Sequence, residues 1–104
     1  MISRHWKGIA KPDQAEAYIR HLKSDTFPKL SGIPGFIRAS ILRRNVDTGT
    51  EFHVVTLRSS LDAIKAFAGE RPDIAVVPTT VQTMMASHDS HVVHYEVADT
   101  YEPR

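Results

Sequence analysis

Near its C-terminus the chain runs His91-Val92-Val93-His94-Tyr95-Glu96-Val97, a strand-like stretch with apolar side chains at odd and even positions alike. Successive side chains of a strand point to opposite faces, so such a strand must be covered twice. Helices packed on one sheet hide a single face. The other face needs a second surface, most simply another copy of the chain. Phe36 to Arg44 repeats the pattern, with Phe36, Ile37, Ala39, Ile41 and Leu42 spread over both faces. A homodimer joined through its sheet is therefore expected.

A chain of 104 residues with 41% hydrophobic and 24% charged residues has the make-up of one compact domain, read as residues 1–98 with a polar tail at 99–104. A domain this small buries only about 60–70% of its unfolded surface, which leaves an interface much of the stabilising to do. The formal charge of +1, with 13 basic and 12 acidic side chains scattered along the sequence, gives no field to draw nucleic acid or an anionic membrane. Arg43-Arg44, the densest basic spot, reads as a solvated edge. Glu51 to Leu57 supplies only Phe52 among aliphatics, which argues against an RNA-binding sheet. Without cysteine there is no disulfide, no thiolate nucleophile and no Cys-based metal site. Arg4, His5, Trp6 and Lys7 break any signal-peptide core, and no window approaches a membrane span, so a cytoplasmic protein is expected.

Residues 2–9 alternate as a first strand before Gly8 and Pro12 break the run. Asp13, three residues ahead of Glu16, is placed to cap a helix carrying Ala15, Tyr18, Ile19, Leu22 and Thr26, which Pro28 should end or kink. Gly32, Pro34 and Gly35 turn the chain into a second strand, Phe36 to Arg44. Asp47-Thr48-Gly49 makes a hairpin to a third, Glu51 to Arg58. Ser59 or Ser60 caps a helix with Leu61, Ile64, Phe67 and Ala68 that stops at Gly69. Residues 70–78 have no assignment. Val81, Met84 and Met85 suggest a further short helix, and residues 90–97 the last strand. The order strand, helix, strand, strand, helix, strand is the split βαβ pattern of an α+β, ferredoxin-like fold with a four-stranded antiparallel sheet.

Several strings resemble the antibiotic biosynthesis monooxygenase-like family: Trp6-Lys7-Gly8, Ala17-Tyr18, Pro34-Gly35-Phe36, Leu42-Arg43-Arg44, the run from Ser60 to Gly69, Ala75-Val76-Val77-Pro78 and His94-Tyr95-Glu96-Val97. The resemblance implies a dimeric α+β barrel in which two sheets meet face to face, with a pocket in each subunit between sheet and helices. It also implies a range of activities. These include oxygenases that oxidise phenols without metal or flavin, quinol oxygenases and haem-degrading enzymes. Fold alone does not choose among them. Where the family often reads aliphatic-Trp-Ser at the start of the second helix, this chain reads Leu57-Arg58-Ser59-Ser60. If that position faces the pocket, an aromatic wall has become a fixed cation able to hold a carboxylate or phenolate.

Six histidines are the most suggestive chemical feature. His88, His91 and His94 recur every three residues, and on a strand such residues face opposite sides, so no metal site is expected from them. His94, mid-strand in an apolar window, is either a buried histidine with a satisfied hydrogen bond or a pocket base. A cofactor-free oxygenase needs a substrate anion rich enough in electrons to reduce dioxygen, which a base and an anion-holder in an apolar cavity can provide. Arg58 or Arg38 is the candidate anion-holder, each with an exposed salt bridge as its plainer reading. Trp6, Tyr18 and Phe67 are candidate walls of an aromatic pocket, or simply core. His5 and His53 are assigned to the dimer face. Haem degradation is the lesser option, because the sole asparagine, Asn45, falls in the hairpin. Ser59-Ser60 serve better as helix caps than as a nucleophile. The leading expectation is a cofactor-independent monooxygenase of a small phenolic or quinol compound, with no cofactor; the alternatives are a non-catalytic protein binding a small apolar acid and a purely structural dimer.

Overall fold

The computed structural model describes residues 1–103. Five strands form one antiparallel sheet: β1 (Ile2–Ala10), β2 (Phe36–Val46), β3 (Gly49–Arg58), β4 (Met85–His88) and β5 (Val93–Glu96). Their order is β2-β3-β1, with β4 and β5 lying end to end along the free edge of β1. Helices α1 (Ala15–His21), α2 (Phe27–Ser31), α3 (Leu61–Ala68) and α4 (Thr79–Met84) make the second layer. This is the ferredoxin-like α+β arrangement with its last strand cut in two. No helix among the described residues is long and apolar enough to cross a membrane.

Alternation along the central strands divides the sheet. Arg4, Gly8 and Ala10 of β1 and Thr50, Phe52, Val54, Thr56 and Arg58 of β3 share one buried face, which the register Arg4 to Thr56, Gly8 to Phe52 and Ala10 to Thr50 brings together. Tyr18 lays its ring edge-on to Phe52, 5.0 Å between centroids, and Leu22, Val81 and Met85 complete the core around it. The opposite face carries Ser3, His5, His53, Val55, Leu57, Leu42, Val93 and Tyr95. Leu42, Val93 and Tyr95 are 53%, 53% and 56% exposed on it. The apolar groups foreseen on both faces of the last strand are there, Val92 buried and Val93 and Tyr95 open.

Local chemistry explains the boundaries. Gly49 closes the Asp47-Thr48 hairpin at φ 151°, and a Cβ there would stand 1.9 Å from the Ala10 carbonyl oxygen, so only glycine fits. Ser60 caps α3 by accepting from the Ala63 amide at 3.3 Å. Two expectations change. Asp13 does not cap α1, because the turn closed by the Gln14 amide on the Lys11 carbonyl leaves Gln14 at the cap position. Pro28 does not end the helical run either. A π-helical turn, Leu22–Thr26, shifts the register so that the Phe27 amide bonds the Leu22 carbonyl, and Pro28 falls in the first turn of α2, where its missing N–H is harmless.

The last strand differs most from its reading as residues 90–97. Met85 starts β4 rather than ending a helix, and β5 starts at Val93. Between them the backbone turns from β1 to the 70–78 segment: the Ala75 amide bonds Ser90, the Val92 amide bonds Asp73, and Ile74 bridges His91. That pairing competes with β1 for the same backbone groups and breaks the strand. Residues after Glu96 have no regular structure as far as residue 103.

Candidate functional site

The buried sheet face does more than pack. Arg4 and Trp6 alternate onto it from β1, Thr56 and Arg58 from β3, and the helices stand off enough at this end to leave a cavity of ≈ 90 Å³. Its wall is apolar over most of its extent, with Trp6, Tyr18, Leu22, Val54, Phe67 and Val81, while Val76, Val77 and Pro78 close one side. Trp6 lies flat because its neighbour on the same face is Gly8; a Cβ at Gly8 would come within 2.6 Å of the indole. The indole N–H donates to the Asp89 carbonyl at 2.9 Å, in the break between β4 and β5. Burial pushes the Tyr18 phenol up, so it is neutral at physiological pH.

Two cations stand in this apolar wall. Arg58 is 1% exposed, and its Nε and Nη1 have no hydrogen-bond partner among the described residues. Its guanidinium carbon rests 5.7 Å from the Phe36 ring centre and 5.6 Å from that of Phe67. Beside it the Thr56 hydroxyl is buried and likewise without a partner. Arg4, 5% exposed, is better held: Nη1 donates to the Pro72 carbonyl and to His94 Nε2 at 3.0 Å, and Nη2 to the Ile74 carbonyl at 3.3 Å. Burial first, and then the charge of Arg58, push Arg4 down to about 10; burial also lowers Arg58. Arginine stays protonated at neutral pH even so. The cavity is a small apolar chamber with a positive wall that no acidic side chain among the described residues pairs.

No protein-family model and no curated protein matches the sequence. Solved structures do match. The chain aligns over its full length with 97% of a candidate antibiotic biosynthesis monooxygenase from Bacillus cereus, at a TM-score of 0.67 and 16% identity. It matches SnoaB, a cofactor-independent oxygenase from Streptomyces nogalater, with a TM-score of 0.62 and 16% identity over 95% of this chain and 94% of that one. A MhuD mutant with two manganese protoporphyrin IX molecules bound per active site matches at 0.62 and 18% identity, over 99% of this chain and all of that one. The fold is that of the antibiotic biosynthesis monooxygenase-like proteins.

Within this monooxygenase-like fold, the cavity brings together Arg58, Trp6, Tyr18 and Phe67 of the residues singled out from sequence. It leaves out two. Arg38 is exposed and pairs with Leu57 in register, which puts it on the opposite face of the sheet from Arg58; a bulge between Phe36 and Arg38 sets that phase. His94 shares a face with Arg4 but does not line the cavity, since the Arg4 guanidinium stands between. Arginine has no acceptor, so His94 Nε2 must accept, and the ring is the neutral tautomer with its proton on Nδ1. Burial, then the charges of Arg4 and Arg58, hold its pKa below the usual histidine value. A base in direct contact with a cavity ligand, as the sequence suggested for His94, is not what this geometry provides.

Arg4 and Thr56 are the site residues that sequence reasoning passed over. Their signal was phase: each shares a strand face with an apolar partner, Arg4 with Trp6 and Thr56 with Val54, where a polar side chain needs a reason to be. Haem does not fit these residues. The imidazole that would ligate iron has its lone pair engaged by Arg4, and Asn45 lies exposed at the far end of β2. Among the described residues no group of three His, Asp or Glu side chains could hold a metal ion. His5 and His53 lie on the outer face, His5 Nδ1 2.9 Å from His53 Nε2, with Ser3 and the edge of Tyr95 against His5. Arg43 and Arg44 are exposed and paired with Glu16 and Glu51, each at 2.9 Å.

Proposed function

We infer that this protein is a cofactor-independent monooxygenase that takes a small, single-ring phenolic or quinol compound into the cavity as its anion. The observation that carries the reading is Arg58, a buried guanidinium whose Nε and Nη1 have no hydrogen-bond partner among the described residues, in an apolar chamber beside a second cation. Burying an unpartnered charge is costly, and the cost is recovered only when an anion arrives. The similarity to SnoaB, itself a cofactor-independent oxygenase, supports the class of reaction.

The chemistry asks little of the protein beyond that electrostatic wall. A phenolate, its proton given up to water before entry and its charge stabilised by Arg58 and Arg4, gives an electron to dioxygen. The phenoxyl and superoxide radicals join as a ring peroxide, which takes a proton from water to become the hydroperoxide, and loss of water with the ring hydrogen leaves a carbonyl. Phenol and dioxygen thus yield quinone and water, with four electrons leaving the ring and four entering dioxygen. The two cations favour the phenolate and the developing peroxide charge alike, in a site from which Trp6, Tyr18 and Phe67 exclude bulk water. His94 acts here as a positioning residue, offering Arg4 a neutral acceptor that leaves the guanidinium charge uncancelled. A homodimer through the outer sheet face completes the reading, since Leu42, Val55, Leu57, Val93 and Tyr95 give that face an apolar surface for a second copy.

Oxygen-electrode measurements with single-ring phenols and hydroquinones test this directly. One dioxygen consumed per quinone formed, with loss of turnover in Arg58→Met, is the expected result. A complete lack of uptake across such a panel, with the protein folded and dimeric, overturns the oxygenase reading.

A further inference from the structure

We propose that the cavity is a carboxylate site, with Arg58 and the Thr56 hydroxyl as its anchor, so that the substrate is a hydroxyaryl carboxylic acid rather than a simple phenol. The inference rests on the cavity's being the substrate site.

Three polar atoms in this wall have no partner among the described residues: Arg58 Nε, Arg58 Nη1 and Thr56 Oγ1. They belong to side chains two apart on β3, on one face, 1% and 6% exposed. Buried polar atoms are ordinarily satisfied, and both side chains line the same cavity, so an acceptor entering it is the partner they lack. A carboxylate supplies acceptor lone pairs on two oxygens and so can engage several donors together.

The charge balance points the same way. Arg4 donates to two carbonyls and a neutral imidazole, none of which carries negative charge. The acid nearest in sequence to these contacts, Asp73, is bound by Arg71 at 3.2 Å and half exposed. Both guanidiniums approach the same Phe67 ring, at 6.0 and 5.6 Å, and that ring face offsets only a small part of their charge. Among the described residues no acidic side chain bonds either guanidinium.

A phenol, with a pKa near 10, reaches the site neutral at pH 7 and must lose a proton to match either charge, at a cost of about a thousandfold in affinity. A carboxylic acid arrives already ionised. Anchoring the carboxylate on Arg58 and Thr56 leaves the Arg4 charge for the phenolate formed during turnover, two negative charges for two positive. The remaining wall, Trp6, Tyr18, Leu22, Val54 and Val81, is apolar and suits the body of a single ring.

Trp6 is the only tryptophan, so its fluorescence reports on the cavity directly. Titrations at pH 7 with benzoate, phenol and 4-hydroxybenzoate separate the possibilities. Benzoate is expected to bind saturably and phenol about tenfold more weakly or worse. Arg58→Met should weaken benzoate about tenfold or more, and Thr56→Val, which keeps shape and removes the hydroxyl, should weaken it severalfold, about what one hydrogen bond contributes. Arg38→Met, on the other face, should leave it unchanged. Phenol binding as tightly as benzoate, no benzoate binding at millimolar concentration, or unaltered benzoate affinity in both Arg58→Met and Thr56→Val overturns the proposal. Oxygen uptake distinguishes this failure from that of the oxygenase reading. If 4-hydroxybenzoate binds but no oxygen is consumed, the carboxylate site stands without the oxidation; if carboxylate-free phenols turn over equally well in Arg58→Met, the oxidation stands without the site.

Discussion

A buried cation without a partner is a poor choice for stability, and Arg58 shows what that implies. Replacing it with methionine removes the desolvation cost while keeping length and stacking on Phe36 and Phe67. Arg58→Met is expected to stabilise the ligand-free protein by about 1–2 kcal/mol, a rise of roughly 4–8 °C per kcal/mol in Tm, while abolishing turnover. A lower Tm in thermal melts assigns Arg58 to the architecture instead. His94 adds a pH dependence whose sign follows from its lowered pKa. As pH falls the unfolded chain takes up the proton first, so stability declines from the unfolded histidine pKa, near 6.5, downward through the folded value. His5 contributes with the same sign, being lowered by burial and by His53 and Lys7. His94→Gln, whose amide oxygen can still accept from Arg4, should flatten part of the slope between pH 7 and 5. An unchanged slope in melts across that range removes His94 from the titration. Arg58 was legible in the sequence because it stands where the resembling family has tryptophan. Arg4 was not, since nothing nearby in the sequence tells of acceptors at Pro72, Ile74 and His94.

At the scale of elements, the hairpins and caps were legible and the interrupted strand was not. The positive φ of Gly49 and Gly69 and the Ser60 cap are set within a few residues, so local rules reach them. Ser60→Ala is expected to cost about 1 kcal/mol by removing the acceptor for the Ala63 amide, readable in urea unfolding; no change in midpoint means the cap is replaced by water. Gly8→Ala should disturb function more than fold. Its added Cβ meets the Trp6 ring at 2.6 Å, and tilting the indole alters the cavity wall. A shift in Trp6 fluorescence with weaker substrate binding is the expected outcome, and an unaltered spectrum removes the contact as a determinant. The break between β4 and β5 depends on residues 73–75 taking the backbone groups of 90–92, a competition that periodicity in either segment does not reveal.

For the molecule as a whole, the outer sheet face bears on the oligomeric state. Leu42, Val93 and Tyr95 are more than half exposed around the His5–His53 pair, and a surface of this kind in a small domain calls for a partner. Light scattering at micromolar concentration is expected to give twice the monomer mass, and Tyr95→Glu to reduce it; a monomer in the unaltered protein removes the dimer. By itself the sequence determined the order of elements as far as α3, the ferredoxin-like class and the two-faced apolar strands, because alternation, capping and turn chemistry act over a few residues. Tertiary structure decided which charges meet. Arg4 finds His94 ninety positions away, Arg38 is turned out by a bulge, and Arg58 Nε and Nη1 find no partner among the described residues. Those outcomes depend on strand register and on which segments compete for an edge, quantities that are fixed only when the whole chain is packed.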